Sequence, residues 1–207
     1  MNLARRTSRI DALVRGAFLC FFLSSAPARS EHVFRRAINE IPTLDPVRSS
    51  DVYSSKAIGL LYEGLLQCDY RARPYRLVPA LAAGMPDVSR DGLTYTFRLE
   101  QGVSFSDAPC FVKRAGRGRA VLARDVVYSL KRVADVETSS TGYWLFRGYV
   151  EGLDAFRDKS RINDGPTDYS LPVPGLKAVD ERTVAIRLTR PYPQFLWVLA
   201  MPYAAVV

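Results

Sequence analysis

The sequence predicts a mixed α/β (α+β) fold, in which helices and strands follow one another along the chain. Between Thr94 and Glu100, apolar and polar residues alternate, as in a strand with one buried face. Between Val126 and Ala134, apolar residues recur at helical spacing. Hydrophobic residues make up 48% of the 207 and charged residues 24%, which is typical of a globular protein and not of a disordered one.

The first 28 residues have the organisation of a secretory signal peptide. An apolar run over 17–23 is followed by small residues that end at Ala28. The run is shorter than the roughly 20 residues that a membrane-spanning helix needs. Four arginines precede it: Arg5, Arg6, Arg9 and Arg15. We therefore expect cleavage after Ala28 and export to the periplasm.

Three elements are predicted in the next part of the chain. Loose alternation predicts a first strand over 32–38. Two prolines predict an extended loop over 41–46, because each one disfavours helical geometry in the residue before it. Apolar residues at helical spacing predict a helix over 54–66, with Asp51 or Ser54 as its N-cap.

The middle of the chain combines a hairpin, a basic loop and a helix. Asp91-Gly92 is typical of a hairpin turn and directly precedes the strand that begins at Thr94. The basic run from Lys113 to Arg119, which surrounds two glycines, predicts a solvated loop. The helix that follows buries its Val126 side, while Arg124 and Lys131 fall on the other face.

The last part of the chain is predicted to contain a second hairpin and a helix. Two short strands, 176–178 and 183–188, are separated by a polar turn. Thr189 before Pro191 indicates a final helix that carries the apolar residues of 195–199.

Common catalytic and metal-binding chemistry has no basis in this sequence. The single histidine, His32, lies close to the predicted cleavage site, so Ser-His-Asp and Cys-His arrangements have no base. There is no Cys-x-x-Cys, phosphate-binding glycine loop or dinucleotide motif, and we expect neither a cofactor nor a metal. Only a carboxylate hydrolase using Glu40 and Asp45 stays open as a hypothesis.

Two cysteines, Cys68 and Cys110, remain after the predicted processing. An exported protein meets an oxidising compartment, in which a disulfide between them is favoured over thiol chemistry. Two buried small residues would explain the same pair of cysteines equally well. The sequence does not decide between these interpretations.

Several motifs occur in a characteristic order after the signal peptide. They are Leu44-Asp45-Pro46, the segment 60–65 (LLYEGL), the segment 91–99 (DGLTYTFRL), the segment 102–107 (GVSFSD), the segment 124–132 (RDVVYSLKR), the segment 178–184 (AVDERTV) and the segment 190–195 (RPYPQF). This series resembles the family 5 extracellular solute-binding proteins. They are the oligopeptide-, dipeptide- and nickel-binding receptors of ABC importers.

The resemblance implies a periplasmic binding protein fold with two lobes that close around a ligand. Residues 29–62 would form the first segment of lobe I and residues 63–207 its accessory subdomain. The family pattern also implies that the second lobe is absent and that the chain is truncated. The implied function is capture of peptides or related small solutes and their delivery to the permease of an ABC importer. We expect a monomer that is not an enzyme and does not bind nucleic acid.

The resemblance also indicates residues that line the ligand cleft. Ser49, Ser50 and Asp51 match the extended segment that borders the cleft, although Asp51 could instead cap the following helix. Tyr143 and Trp144 match a segment that approaches the cleft from the accessory subdomain. Ordinary core packing would explain these two aromatic residues equally well.

Three features depart from the family pattern. Ala108-Pro109 follows Asp107 where a glycine is usual, Leu122 lies where a threonine commonly caps the helix, and the segment from Phe111 to Arg119 is longer than usual. The basic part of this segment, 113–119, supports an alternative hypothesis. It predicts an exported polyanion- or nucleic-acid-binding module in which Phe111 stacks on bases.

Overall fold

The computed structural model describes residues 40–162 and 165–207. The predicted signal peptide, His32 and the predicted strand over 32–38 lie outside the described residues. Among the residues that are described, no helix has the length and apolarity needed to cross a bilayer.

The fold is a mixture of short helices and antiparallel strands, as the sequence predicts. The helices are α1 (Val52–Leu61), α2 (Ala123–Ala134), α3 (Leu153–Ile162) and α4 (Phe195–Val198). The strands are β1 (Leu66–Asp69), β2 (Arg76–Pro79), β3 (Asp87–Val88), β4 (Thr94–Arg98), β5 (Leu176–Ala178) and β6 (Thr183–Arg187). Short 3₁₀ turns occur at Pro46–Arg48, Val112–Arg114, Tyr143–Leu145 and Pro202–Ala204.

A four-stranded antiparallel sheet in the order β3-β4-β6-β5 forms the centre of the described chain. Its register places Phe97 opposite Val184, and both side chains are fully buried. Helix α2 packs against β5 and β6 and buries Val126 and Val133. The period-two and helical patterns therefore mark the two layers of one hydrophobic core.

Both predicted hairpins are confirmed. Strands β3 and β4 flank the Asp91-Gly92 turn, where Gly92 has a φ of 70°, a value that favours glycine. Strands β5 and β6 pair with Ala178 opposite Val184. The predicted solvated loop is also confirmed for Lys113, Arg114 and Arg117, which are exposed.

The predicted helix over 54–66 is too long at its C-terminal end. Helix α1 ends at Leu61, and the chain then extends into β1, which pairs with β2. The N–H of Val206 donates to the carbonyl of Glu63, and an added Cβ at Gly64 would lie 3.0 Å from the Leu199 carbonyl oxygen. These contacts with the distant 199–206 segment hold residues 63 and 64 outside the helix.

The N-terminal ends of α2 and α4 also differ in detail from the sequence prediction. Leu122 is the N-cap residue of α2, and its N–H donates to the Asp125 carboxylate at 2.8 Å. Asp125 also receives two guanidinium bonds from Arg119, of 2.6 and 2.7 Å. The final helix has only four residues, and the Thr189 hydroxyl bonds to the Gly148 carbonyl instead of capping it. Helix α3 was not predicted.

The two cysteines are both free and both exposed. Cys68 lies in the two-stranded β1–β2 sheet, and Cys110 lies in the long loop that precedes α2. The disulfide that the sequence left open as one interpretation is not formed in this structure. The alternative of two buried small residues is wrong, because both positions face solvent.

Candidate ligand-binding surface

Ser49 is held in the extended segment between the Pro46–Arg48 turn and helix α1. Only 1% of its surface is exposed, and its hydroxyl lies 2.7 Å from the hydroxyl of Ser55. Its carbonyl oxygen accepts a 2.8 Å bond from the Thr141 hydroxyl. A second bond joins the Thr141 N–H to the Val47 carbonyl at 3.0 Å. Thr141 therefore joins this segment to a turn more than 90 residues later in the chain.

Asp51 is the N-cap of α1, so the capping interpretation is confirmed. One carboxylate oxygen, Oδ1, accepts bonds of 2.8 Å from the N–H groups of Tyr53 and Ser54. Hydrogen bonding from Ser54, through its side chain first and then its backbone, lowers the pKa of Asp51. The other oxygen, Oδ2, is shielded from solvent and has no hydrogen-bond partner among the described residues. The capping carboxylate thus retains acceptor capacity next to Ser49 and Ser50.

The turn that carries the predicted aromatic residues begins at Gly142. A Cβ added to this glycine would lie 2.3 Å from Cγ of Tyr203, well inside van der Waals contact. Only glycine therefore fits beneath the Tyr203 ring. Ser139, three residues earlier, has a φ of 52°, in the left-handed region. These two constraints fix the direction of the backbone where it leads into Tyr143 and Trp144.

Tyr143 and Trp144 point to different surroundings. Tyr143 is half-buried against the core, and its hydroxyl donates to the Asp154 carboxylate. Burial, followed by this hydrogen bond, raises the pKa of the Tyr143 phenol well above its usual range. Trp144 is 69% exposed, so core packing explains Tyr143 and does not explain Trp144. An exposed tryptophan ring offers apolar area to a ligand or partner.

Hydrogen bonds from Thr141 join the segment that carries the first predicted group of ligand residues to the turn that carries the second. Ser49 and Ser50 lie on one side of the Thr141 bonds, and Tyr143 and Trp144 follow two and three residues after it. We call the surface formed by 49–51 and 141–144 the Thr141 surface. Thr141 itself was missed by sequence reasoning, and the only signal for it was the polar turn over 139–142.

Asp45 and Glu40, the two carboxylates of the hydrolase hypothesis, do not form a pair of free acids. Asp45 accepts two bonds from Arg132, of 3.2 and 2.8 Å, and a third from the Val47 N–H. Glu40 is exposed. Among the described residues, no cluster of three or more His, Cys, Asp or Glu side chains could hold a metal ion. The Asp45 carboxylate is therefore a structural group that links the Pro46 turn to α2.

A known protein family matches the larger part of this chain. Residues 76–207 match the model for bacterial extracellular solute-binding proteins, family 5 middle. The chain belongs to this family. The resemblance to family 5 is thereby confirmed, while the comparisons do not support the alternative of a polyanion-binding module based on 113–119.

Individual family 5 proteins are similar over most of this chain. The periplasmic oligopeptide-binding protein OppA of Escherichia coli is 29% identical over 84% of the chain and 28% of its own length. A dipeptide-binding protein of Lactococcus lactis is 32% identical over 79% of the chain and 26% of its own length. The substrate-binding domain of an oligopeptide ABC transporter from Bacillus anthracis superimposes with a TM-score of 0.64 at 27% identity, covering 84% of this chain and 29% of that one. The chain thus spans less than a third of the length of these relatives.

Proposed function

We propose that this family 5 chain acts as part of the solute-binding component of an ABC importer, which captures peptides or related small solutes outside the cytoplasmic membrane. The observation that carries the proposal is the agreement in sequence and in fold with peptide-binding relatives over about four fifths of the chain. The proposed partners are a peptide and the membrane permease. The chain is proposed to work as a monomer and without catalysis.

The Thr141 surface is the proposed contribution of this chain to the ligand site. Ser50 and Asp51 would offer extended backbone and polar groups to a peptide, as an added strand does. Ser49, which is buried with its carbonyl and hydroxyl already bonded, would hold that backbone in place. Trp144 would supply an aromatic surface, since its ring is 69% exposed, and Tyr143, whose hydroxyl is bonded to Asp154, would hold the turn that presents it. The support for this assignment is that the Thr141 bonds join Ser49 to the turn that carries Trp144.

The organisation of the whole protein is also part of the proposal. Export would follow from cleavage near Ala28, with a periplasmic location like that named for the Escherichia coli relative. Residues 29–62 would begin lobe I, and 63–207 would form its accessory subdomain. In this arrangement a ligand that contacts both lobes favours the closed state, which the permease recognises.

Tryptophan fluorescence tests the proposed site directly. The chain has two tryptophans, so the Trp197→Phe variant of the full chain leaves Trp144 as its only indole. Titration with trialanine, which does not fluoresce, should shift the Trp144 emission to shorter wavelength in a saturable way. We expect weak binding, on the order of millimolar, because one wall of a cleft makes few of the contacts that a closed site makes.

The matched control is Trp144→Phe, which keeps only Trp197. Its emission should not respond to trialanine, because Trp197 lies outside the Thr141 surface. An equal response of the two variants, or no response from Trp144 at saturating peptide, would contradict the proposed site. Nanomolar affinity would contradict the two-lobe mechanism, since a single wall would then suffice for tight capture.

A further inference from the structure

A concave surface lies behind the Tyr143 turn, against helix α3. It encloses about 320 Å³, which is at the lower end of the range for small-molecule sites. Its lining consists of Tyr143, Arg147, Asp154, Arg157, Asp158 and Arg161. The four α3 residues are three and four positions apart and so share one face of the helix. We call this feature the arginine cavity.

Arg157 is fixed in place by two contacts at the base of this cavity. Its guanidinium carbon lies 4.2 Å from the centroid of the Tyr143 ring. Its Nη1 donates a 2.9 Å bond to the Ala134 carbonyl. A guanidinium has five N–H donors in a planar fork, so most of them stay available after this single bond. The group is therefore preorganised, and little rotamer entropy is lost when it binds a further acceptor.

The arginines of the cavity outnumber its carboxylates by three to two. Asp154 accepts from the Tyr143 hydroxyl and, at 2.9 Å, from the Gly148 N–H. Within the described part of the chain, the salt bridges involve Arg76, Arg119, Arg132 and Arg187, and none of them involves an arginine of the cavity. Three guanidiniums thus face two carboxylates, one of which is already committed to neutral donors.

We propose that the arginine cavity binds a small oxyanion, a carboxylate or a phosphate group, through Arg147, Arg157 and Arg161. Guanidinium forks match the geometry of both kinds of anion and form charge-assisted bonds to them. Asp158, at the exposed edge, opposes the anion and limits its affinity. Tyr143 borders both surfaces, but Trp144 and residues 49–51 do not line this cavity, and its three arginines lie outside the Thr141 surface. The inference therefore does not depend on the proposed peptide site.

Amide NMR titration of the full 207-residue chain tests the inference with two probes, inorganic phosphate and succinate, at constant ionic strength. Saturable shifts of the amides over 143–147 and 154–161 are expected with at least one probe. Tighter binding of phosphate would identify a phosphate ligand, and tighter binding of succinate a carboxylate ligand. Shifts that stay linear in concentration, or that spread over all basic surfaces, would overturn the proposal.

Three single variants make the test specific. Arg147→Gln removes an exposed cation of the cavity and should weaken binding about tenfold, the usual effect of losing one charge-assisted bond. Asp158→Asn removes the opposing charge and should tighten binding severalfold. Arg124→Gln, an exposed arginine of α2 outside the cavity, should leave affinity unchanged. An equal loss in Arg124→Gln and Arg147→Gln would mean that the anion senses only net charge, and no gain in Asp158→Asn would mean that it does not bind beside Asp158. Either result would overturn the proposal.

Discussion

The contact between Gly142 and Tyr203 gives a sharp test of how the Tyr143–Trp144 turn is held. In Gly142→Ala, the new methyl group would lie 2.3 Å from Cγ and 2.4 Å from Cδ1 of Tyr203. Ordinary contacts between such carbons are about 3.5 to 4.0 Å, so the ring or the turn must move by more than about 1 Å. Because Cγ is the root of the ring, rotation of the side chain gives little relief.

The expected magnitude combines two opposing effects. Overpacking of this kind costs about 1–3 kcal/mol of the free energy of unfolding. The alanine also restricts the unfolded chain, which returns about 0.4–1 kcal/mol, because the φ of −100° at Gly142 suits alanine. The net expectation is a loss of about 1–2 kcal/mol, read from urea unfolding followed by circular dichroism.

A double-mutant cycle with Tyr203→Ala isolates the contact. Without the ring, Gly142→Ala should cost less than about 0.5 kcal/mol, since nothing remains for the methyl group to strike. Gly59→Ala is the control for the loss of a glycine as such: it lies on the exposed side of α1 with no atom within 4 Å and should stabilise the protein by about 0.5–1 kcal/mol. An equal loss from Gly142→Ala with and without the Tyr203 ring would refute the reasoning.

Two further outcomes are expected. Burial, followed by a 2.7 Å bond to Asp135, raises the pKa of the Tyr169 phenol above its usual value, so the folded state keeps a proton that the unfolded state loses. The contribution of Tyr169 to the free energy of unfolding should therefore be fully present below pH 10.0 and fall as the pH rises above it. Urea unfolding between pH 8 and 11 should give a smaller fall in the free energy of unfolding for Tyr169→Phe than for the parent. Tyr70→Phe, at a 71% exposed position, is the control. Equal slopes of the free energy against pH in all three proteins would contradict the assignment. For the signal peptide, mass spectrometry of the exported protein should give a chain that begins at Arg29, and an uncleaved N-terminus would contradict the predicted processing.

Elements whose pattern is local were predictable from sequence. Strand β4 and helix α2 each carry an uninterrupted apolar periodicity, and both lie where it places them. The Asp91-Gly92 turn and the Asp51 cap depend on contacts within about five residues, which single residue types encode directly. The family motifs from Leu44 onward are of the same kind, because they are short segments in a fixed order.

Elements that depend on distant partners were missed or misplaced. Residues 63 and 64 continue a helical pattern, yet backbone contacts with the 199–206 segment hold them outside the helix. Lys131, which the sequence places on the solvent side of α2, is buried and donates to the carbonyls of Tyr169 and Leu171 at 2.9 and 2.7 Å. Its long side chain reaches a loop about 40 residues away, and no local pattern encodes that reach.

The sequence by itself determined the family, the mixed α/β class and the residues from which a ligand surface could be built. Each of these follows from residue type and spacing over a few turns of chain. Only the tertiary structure decided that Thr141 joins Ser49 to the aromatic turn, that Trp144 is exposed while Tyr143 is held by Asp154, and that three arginines line one cavity. The physical reason is that these arrangements are contacts between segments brought together by burial of a shared core, and burial is a property of the whole fold.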